Sequence, residues 1–95
     1  MIYSGSKTVT TAGKRVALTA DTTMAFTVTV QSKAGNTNSI FVGGKTVAAG
    51  SGFELPGPGD SYTFPPHDVN VYDLNLIFID SVVDGEGVTY VYSRR

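Results

Sequence analysis

Apolar and polar residues alternate along several short segments of the chain, which is the pattern of β-strands with one buried face. The clearest segment covers residues 26–31, where Phe26, Val28 and Val30 are separated by two threonines and followed by a glutamine. No window longer than about ten residues has the apolar spacing of an amphipathic helix. The pattern therefore predicts an all-β protein with little helix.

Other apolar segments follow at intervals of about eight to twelve residues, with turn signals between them, which is the spacing of a sandwich or small barrel. The segment from Leu74 to Ile79 is apolar on both faces, which is typical of a central strand or of one covered by a neighbouring subunit. We expect one domain over residues 1–95, a single compact β-sandwich. It should be jelly-roll-like, with seven or eight short, mainly antiparallel strands. The segments besides residues 26–31 and 74–79 centre on Val16 and Leu18, Ile40 and Val42, Tyr62 and Phe64, and Val88 to Tyr92.

The period-two alternation also assigns faces. Thr27, Thr29 and Gln31 should point away from the core, because a strand's successive side chains alternate between faces. Residues 1–11 are weakly patterned and are predicted to form an N-terminal arm that contacts a partner. The expected core is Phe26, Val28, Val30, Ile40, Val42, Tyr62, Phe64, Leu76, Phe78, Val88 and Tyr90.

Charge is scarce in this chain and changes the range of functions to consider. Charged residues make up 16% of the sequence, with a formal net charge of -1, against roughly 25% charged residues in an average soluble domain. A protein that binds nucleic acid by neutralising phosphates is therefore not expected. The chain has no cysteine and no apolar run of about 18 residues or basic-then-apolar start. We expect neither a membrane segment nor a signal peptide, and synthesis in the cytoplasm.

Residues suited to catalysis are few and poorly placed. The one histidine, His67, is adjacent to Asp68, and neighbours in an extended segment point to opposite sides, so this carboxylate cannot orient the ring. We interpret His67 as a solvated loop residue. Gly44-Lys45-Thr46 looks like the end of a phosphate-binding loop, but Ser39 stands where that motif needs a glycine and no helix follows. No catalytic residue is predicted.

Carboxylates cluster in the turn that holds Asp80, Asp84 and Glu86. They lack the ligand spacing of a calcium loop, and acidic residues are common in turns because they hydrogen-bond the local backbone. Glu54 and Asp60 also lie on predicted turns, where they do not suggest the cleft of a glycosidase. We expect no metal site, no cofactor and no enzymatic activity.

Some apolar residues are better explained by contact with another chain. Phe41 is out of phase with its neighbours Ile40 and Val42, and an outward-facing aromatic on a strand is typical of a subunit interface. Exposed aromatics can also stack on sugar rings, so a glycan-binding surface remains an alternative. The candidate interface residues are Ile2 and Tyr3 in the arm, Phe41, and Ile77 and Ile79 on the two-faced segment.

Four motifs carry a resemblance to a known group of proteins. They are Asn36–Gly43 (NTNSIFVG), a turn containing Gly52-Phe53-Glu54-Leu55-Pro56, Asp73–Ile79 (DLNLIFI) and Gly85–Tyr92 (GEGVTYVY). They are similar to the patterns N-x-x-x-I-x-V-G, G-x-x-L-x-P-G-x-S, D-L-x-x-I-x-I/V and G-E-G-V-x-Y of small all-β virion proteins of tailed bacteriophages. The turn is longer here, since Ser61 follows only after Gly57-Pro58-Gly59-Asp60.

The resemblance implies a virion structural protein, most like a capsid decoration (cement) protein. Such a protein would lie on the capsid surface, bind the major capsid protein and stabilise the assembled shell. The three-fold positions of icosahedral shells suggest a homotrimer. A receptor- or glycan-binding module of a head fibre or tail is the alternative.

Overall fold

A computed structural model describes residues 1–48 and 50–95, in which ten strands are joined by turns and one 3-10 turn at Leu74–Leu76. The strands are β1 Ile2–Val9, β2 Val16–Ala17, β3 Met24–Ala25, β4 Thr27–Ser32, β5 Ile40–Gly43, β6 Phe53–Leu55, β7 Ser61–Phe64, β8 Tyr72–Asp73, β9 Phe78–Ser81 and β10 Glu86–Ser93.

The strands pair as one long hairpin folded over on itself. Each strand of the first half is antiparallel to its counterpart in the second half: β1 with β10, β2 with β9, β3 with β8, β4 with β7, and β5 with β6. Further pairing of β10 with β4 and of β9 with β5 assembles two four-stranded sheets. Their orders are β1-β10-β4-β7 and β2-β9-β5-β6, while β3 and β8 form a two-stranded ribbon.

This nested pairing of eight strands in two sheets is the jelly-roll arrangement. The predicted all-β sandwich of antiparallel strands is therefore confirmed. The structure has ten strands because the short ribbon adds two to the eight of the main sheets. Within the described residues, no helix is long and apolar enough to cross a membrane.

The core contains the inward side chains of both main sheets. Strand β4 follows its predicted alternation, since Val28 and Val30 are fully buried whereas Thr27, Thr29 and Gln31 are not. Of the other predicted core residues, Ile40, Val42 and Val88 are buried, and Tyr62, Phe64 and Tyr90 are partly buried against them. Phe26 is half-buried, with the Arg95 guanidinium 4.1 Å above its ring centroid.

The prediction of a strand over residues 74–79 was wrong for Leu74–Leu76, whereas Phe78 and Ile79 do begin an inner strand, β9. Leu74–Leu76 form a 3-10 turn, which begins where Asp73 Oδ1 accepts from the Asn75 N–H at 3.0 Å. The turn shifts the register of the strand that follows. Leu76 is 51% exposed and Phe78 is half-buried, whereas Ile77 and Ile79 are buried instead.

The predicted N-terminal arm is also corrected, because Ile2–Val9 is the eight-residue strand β1 at the edge of a main sheet. It pairs with β10 along its whole length, from Ile2 opposite Ser93 to Val9 opposite Glu86. Val9 is fully buried in the core. The segment is part of the sandwich and does not extend from it.

Candidate interaction surface

His67, the one histidine of the chain, lies exposed in the loop that follows β7. Its backbone N–H donates to the Phe26 carbonyl O at 3.0 Å, and its ring meets the Tyr72 ring edge-on at 5.5 Å between centroids. These contacts connect the loop to the sandwich. They agree with the interpretation of His67 as a loop residue.

Asp80 and Asp84 hold backbone in place. Asp80 is buried, and its Oδ1 accepts from the N–H of Gly13 at 3.0 Å and of Ser81 at 2.8 Å. Asp84 Oδ1 accepts from the Ala12 N–H at 2.7 Å. Together they fasten the loop between β1 and β2 to β9 and the following turn.

Glu86, the third carboxylate of this turn, begins strand β10 and is 7% exposed. Its carboxylate accepts from the N–H and hydroxyl of Thr37 and from the N–H of Asn38. The hydrogen bond from the Thr37 N–H contributes most to holding the pKa of Glu86 below its ordinary value of 4.5. Burial raises this pKa, but it does not cancel the effect of the three donors. The group is thus an ionised cap on the loop before β5.

Asn36 completes this corner and was missed as a structural residue by the sequence analysis. Its buried amide donates to Ser32 Oγ at 2.8 Å and to the Gly87 carbonyl at 2.7 Å, and its Oδ1 accepts from the Gly87 N–H at 3.2 Å. Asn36 begins one of the resemblance motifs and Glu86-Gly87 lies in another. The occurrence of Asn36 and of Glu86-Gly87 in two of these motifs was the sequence signal that could have predicted the contact between them. The fold brings the two motifs together.

No group of three histidine, cysteine or acidic residues within residues 1–48 and 50–95 is arranged to hold a metal ion. The same residues enclose no pocket. The open surface of the sandwich carries the other candidate side chains for recognition.

Three of the five candidate interface residues do not present such surface. Phe41 is 6% exposed, Ile77 is 7% exposed and Ile79 is fully buried, all within their own chain. The prediction that Phe41 faces outward was wrong. Phe41 lies opposite Asp80 on β9, and the β1–β2 loop reaches this position through the Gly13–Asp80 hydrogen bond. Ile2 and Tyr3 are 73% and 40% exposed, and their contact with a partner stays a prediction.

The outer side of the sheet β1-β10-β4-β7 is a surface of uniform character. Nine of its twelve outward side chains are serine or threonine and none is charged; we name this surface the hydroxyl face. Lys33 lies at one end, where its Nζ donates to Thr8 Oγ1 at 3.0 Å. The twelve are Ile2, Ser4, Ser6, Thr8, Thr27, Thr29, Gln31, Ser61, Thr63, Thr89, Val91 and Ser93.

Several side chains of the hydroxyl face are held by local hydrogen bonds. Thr29 Oγ1 and Thr63 Oγ1 are 3.0 Å apart across β4 and β7, and Thr27 Oγ1 donates to the Phe64 carbonyl at 3.0 Å. Gln31 Nε2 donates to the Gly59 carbonyl at 3.0 Å. Side chains that are already ordered lose little conformational entropy on binding, and covering hydroxyls costs less than covering charges. The face is therefore suited to contact with another protein surface.

The opposite side of the same sheet carries aromatic residues toward the second sheet. Tyr3 stacks on Tyr92 at 5.2 Å between centroids, and Phe53 on Tyr62 at 4.1 Å. Phe53 is 50% exposed, so this pair forms a small aromatic surface at the sandwich edge. Burial, followed by the neighbouring Tyr92, raises the pKa of Tyr90 above its ordinary value of 10.0.

Comparison of this chain with protein-family models, with curated proteins and with solved structures finds no match. The fold and the surfaces described above therefore carry the functional argument, together with the resemblance in the four sequence motifs.

Proposed function

We propose that this protein is a structural component of a tailed-bacteriophage virion, a decoration protein that binds the assembled capsid shell and stabilises it. It is made in the host cytoplasm and located on the capsid surface, with the major capsid protein as its partner. The resemblance of the four motifs suggests this role, and the jelly-roll architecture is compatible with it, because viral capsid proteins commonly use that fold.

The hydroxyl face is the observation that carries the proposal. A decoration protein needs a broad surface that fits a large, ordered partner, and a four-stranded sheet face without charged side chains offers one at low desolvation cost. We assign this face to the contact with the shell. Such a role needs no active site.

Stabilisation of the shell follows from the number of copies. Each copy adds a modest contact free energy, and many copies on one particle together resist its disruption through multivalency. We propose a homotrimer as the unit that binds. The number three comes from the three-fold positions of icosahedral shells, and the mass of the free protein tests it.

A charge placed on the hydroxyl face tests the proposed contact. Thr89 is exposed near the middle of the face, opposite Gln31 and Ser6, so Thr89→Glu would bury an unpaired carboxylate under the shell. Co-sedimentation with assembled shells should show weaker binding of this variant by about tenfold or more, since an unpaired buried charge costs several kcal/mol.

Thr46→Glu is the matched control. It introduces the same charge at an exposed residue in the loop between β5 and β6, away from the hydroxyl face. It should bind shells as the unmodified protein does, and both variants should unfold at similar temperatures. Equal binding by Thr89→Glu and Thr46→Glu would contradict the assigned contact surface.

The second candidate function is a receptor- or glycan-binding module of a head fibre or tail. The exposed Phe53–Tyr62 stack favours it, because a flat aromatic surface can pack against a sugar ring. On this hypothesis Phe53→Ala abolishes binding to a glycan array and leaves shell binding unchanged. Glycan binding that depends on Phe53, together with no affinity for shells, would replace the decoration proposal.

A further inference from the structure

The outer edge of β1 is a long row of backbone groups with no partner strand in the described part of the chain. Met1 N donates to the Arg94 carbonyl at 3.1 Å, and Arg94 N donates to the Met1 carbonyl at 3.0 Å. Hydrogen-bonded and non-hydrogen-bonded pairs alternate along antiparallel strands. Because Met1 and Arg94 form a hydrogen-bonded pair, the odd-numbered residues of β1 are the ones whose backbone groups bond to β10. The N–H and C=O groups of Ile2, Ser4, Ser6 and Thr8 therefore point away from the sheet.

The other three edges of the two main sheets are short, and proline or charge lies beside each of them. Strand β7 has four residues and ends at Pro65-Pro66, and β6 has three and ends at Pro56. Strand β2 has two residues and follows Lys14-Arg15. Natural sheets protect edges in these ways against pairing with other chains. Strand β1 has eight residues, no proline and a single charge, Lys7.

We propose that β1 is a self-pairing edge, through which two copies of this chain join their sheets into one continuous eight-stranded sheet. A two-fold axis beside Gly5 places Ser4 of one copy opposite Ser6 of the other, and Ile2 opposite Thr8. These positions carry the outward N–H and C=O groups on both copies. The edge thus complements itself in an antiparallel arrangement, as a two-fold interface requires.

The side chains suit the same register. Gly5 lies at the axis, where Tyr90 packs so closely that a Cβ would come within 2.6 Å of its hydroxyl, so the strands meet there without a side chain between them. Tyr3 of each copy lies opposite Lys7 of the other, which places an ammonium near an aromatic ring and avoids like charges.

The number of hydrogen bonds is sufficient for a specific contact. Four outward positions on each strand form four bonded pairs, and each pair supplies two bonds, which amounts to about eight backbone hydrogen bonds. Typical interfaces have roughly ten. The pairing uses β1 alone, so the second sheet stays available for a three-fold contact. It does not depend on whether the protein decorates a shell.

Ser4→Pro tests the proposal in the isolated full-length protein. Proline removes the outward N–H of residue 4 and keeps every bond between β1 and β10, so the sandwich should fold while pairing is blocked. Sedimentation equilibrium over a range of protein concentrations should show the unmodified chain associating through a two-fold step. The variant should have a dissociation constant for that step higher by about tenfold or more.

Ser4→Ala is the matched control, because it removes the same hydroxyl and retains the N–H. It should associate as the unmodified chain does. Equal association of Ser4→Pro and Ser4→Ala would overturn the proposal, as would an unmodified chain that stays monomeric at every concentration or forms trimers with no further two-fold step.

Amide hydrogen exchange of the unmodified protein gives a second test that does not depend on a variant. The N–H groups of Ser4, Ser6 and Thr8 should exchange quickly in dilute solution and become protected as concentration rises, whereas those of Tyr3, Gly5 and Lys7 should be protected throughout. Fast exchange of Ser4, Ser6 and Thr8 at all concentrations would contradict pairing through this edge.

Discussion

At the scale of single residues, the corner around Glu86 and Gly87 explains why certain side chains occur together in the sequence motifs. Strand β1 lies so close beside Gly87 that a Cβ at this position would overlap the Lys7 carbonyl O. Asn36 forms hydrogen bonds with both the N–H and the C=O of Gly87. Glu86 accepts from the Asn38 N–H and so caps the loop before β5. The glycine, the amide and the carboxylate are therefore required by packing and hydrogen bonding at one place.

Gly87→Ala should destabilise the sandwich by about 3 kcal/mol or more, since the added methyl group meets backbone that cannot move without disturbing β1. Gly35→Ala is the control, because a Cβ at Gly35 meets no atom within 4 Å. Chemical denaturation of both variants measures the difference. A Gly87→Ala protein as stable as Gly35→Ala would show that β1 does not pass this close.

Glu86 should make stability depend on acid pH. The lowered pKa means that the folded protein holds this carboxylate ionised where the unfolded chain begins to bind a proton, below about 4.5. The stabilisation is therefore complete above pH 4.5 and is lost as pH falls through the folded-state pKa. Glu86→Gln should lower the melting temperature at neutral pH, and the difference from the unmodified protein should shrink below pH 4.5. A constant difference for Glu86→Gln at all pH values would contradict the assignment.

At the scale of strands, the alternation of apolar and polar residues correctly predicted which side chains are buried where the strand's own sequence decides it. It failed where hydrogen bonds or contacts from other segments of the chain change the strand. Strand β4 keeps its register because its two faces differ sharply, valine inward and threonine outward. At Leu74 a turn forms in place of the predicted strand, because Asp73 Oδ1 accepts from the Asn75 N–H and the Asn75 side-chain amide donates to the Thr19 carbonyl. As a result Leu76 is exposed and Ile77 is buried, the reverse of the prediction. Phe41 is buried opposite Asp80, a residue to which the loop between β1 and β2 is hydrogen-bonded, and no local pattern reveals this arrangement.

The same limit explains the prediction for the first eleven residues. Serine, glycine and threonine give β1 little apolar contrast, so only its pairing with β10, far along the chain, defines it as a strand. Ile2 and Tyr3 were named as candidate interface residues from the sequence, and the structure leaves both exposed. The hydroxyl face was not identified as a unit, because it combines four strands that lie apart in sequence.

Removal of residues 1–9 should therefore unfold the protein, contrary to the expectation for a detachable arm. The deletion removes an edge strand with eight paired residues and the fully buried Val9. Val9→Ala alone should cost roughly 2 kcal/mol, because it empties part of the core. Circular dichroism and thermal unfolding would test both variants. A truncated chain that unfolds cooperatively near the original temperature would contradict the role of β1 in the sandwich.

At the scale of the whole molecule, the two sides of the sheet β1-β10-β4-β7 differ in composition and in what they contact. The inner side contributes valines and tyrosines to the core, while the outer side presents the hydroxyl face and ends at the β1 edge. The fold is thus compatible with a protein that covers a larger surface in many copies. In the proposed arrangement, the hydroxyl face contacts the shell and the β1 edge contacts a neighbouring copy.

The copy number on virions tests the central proposal most directly. Intact particles with and without the protein would be weighed by mass spectrometry and heated until the genome is released. The proposal predicts many copies in a constant ratio to the major capsid protein, and release at a lower temperature when the protein is missing. Only a few copies at the tail, with no change in the temperature of release, would contradict it and favour the receptor-binding alternative.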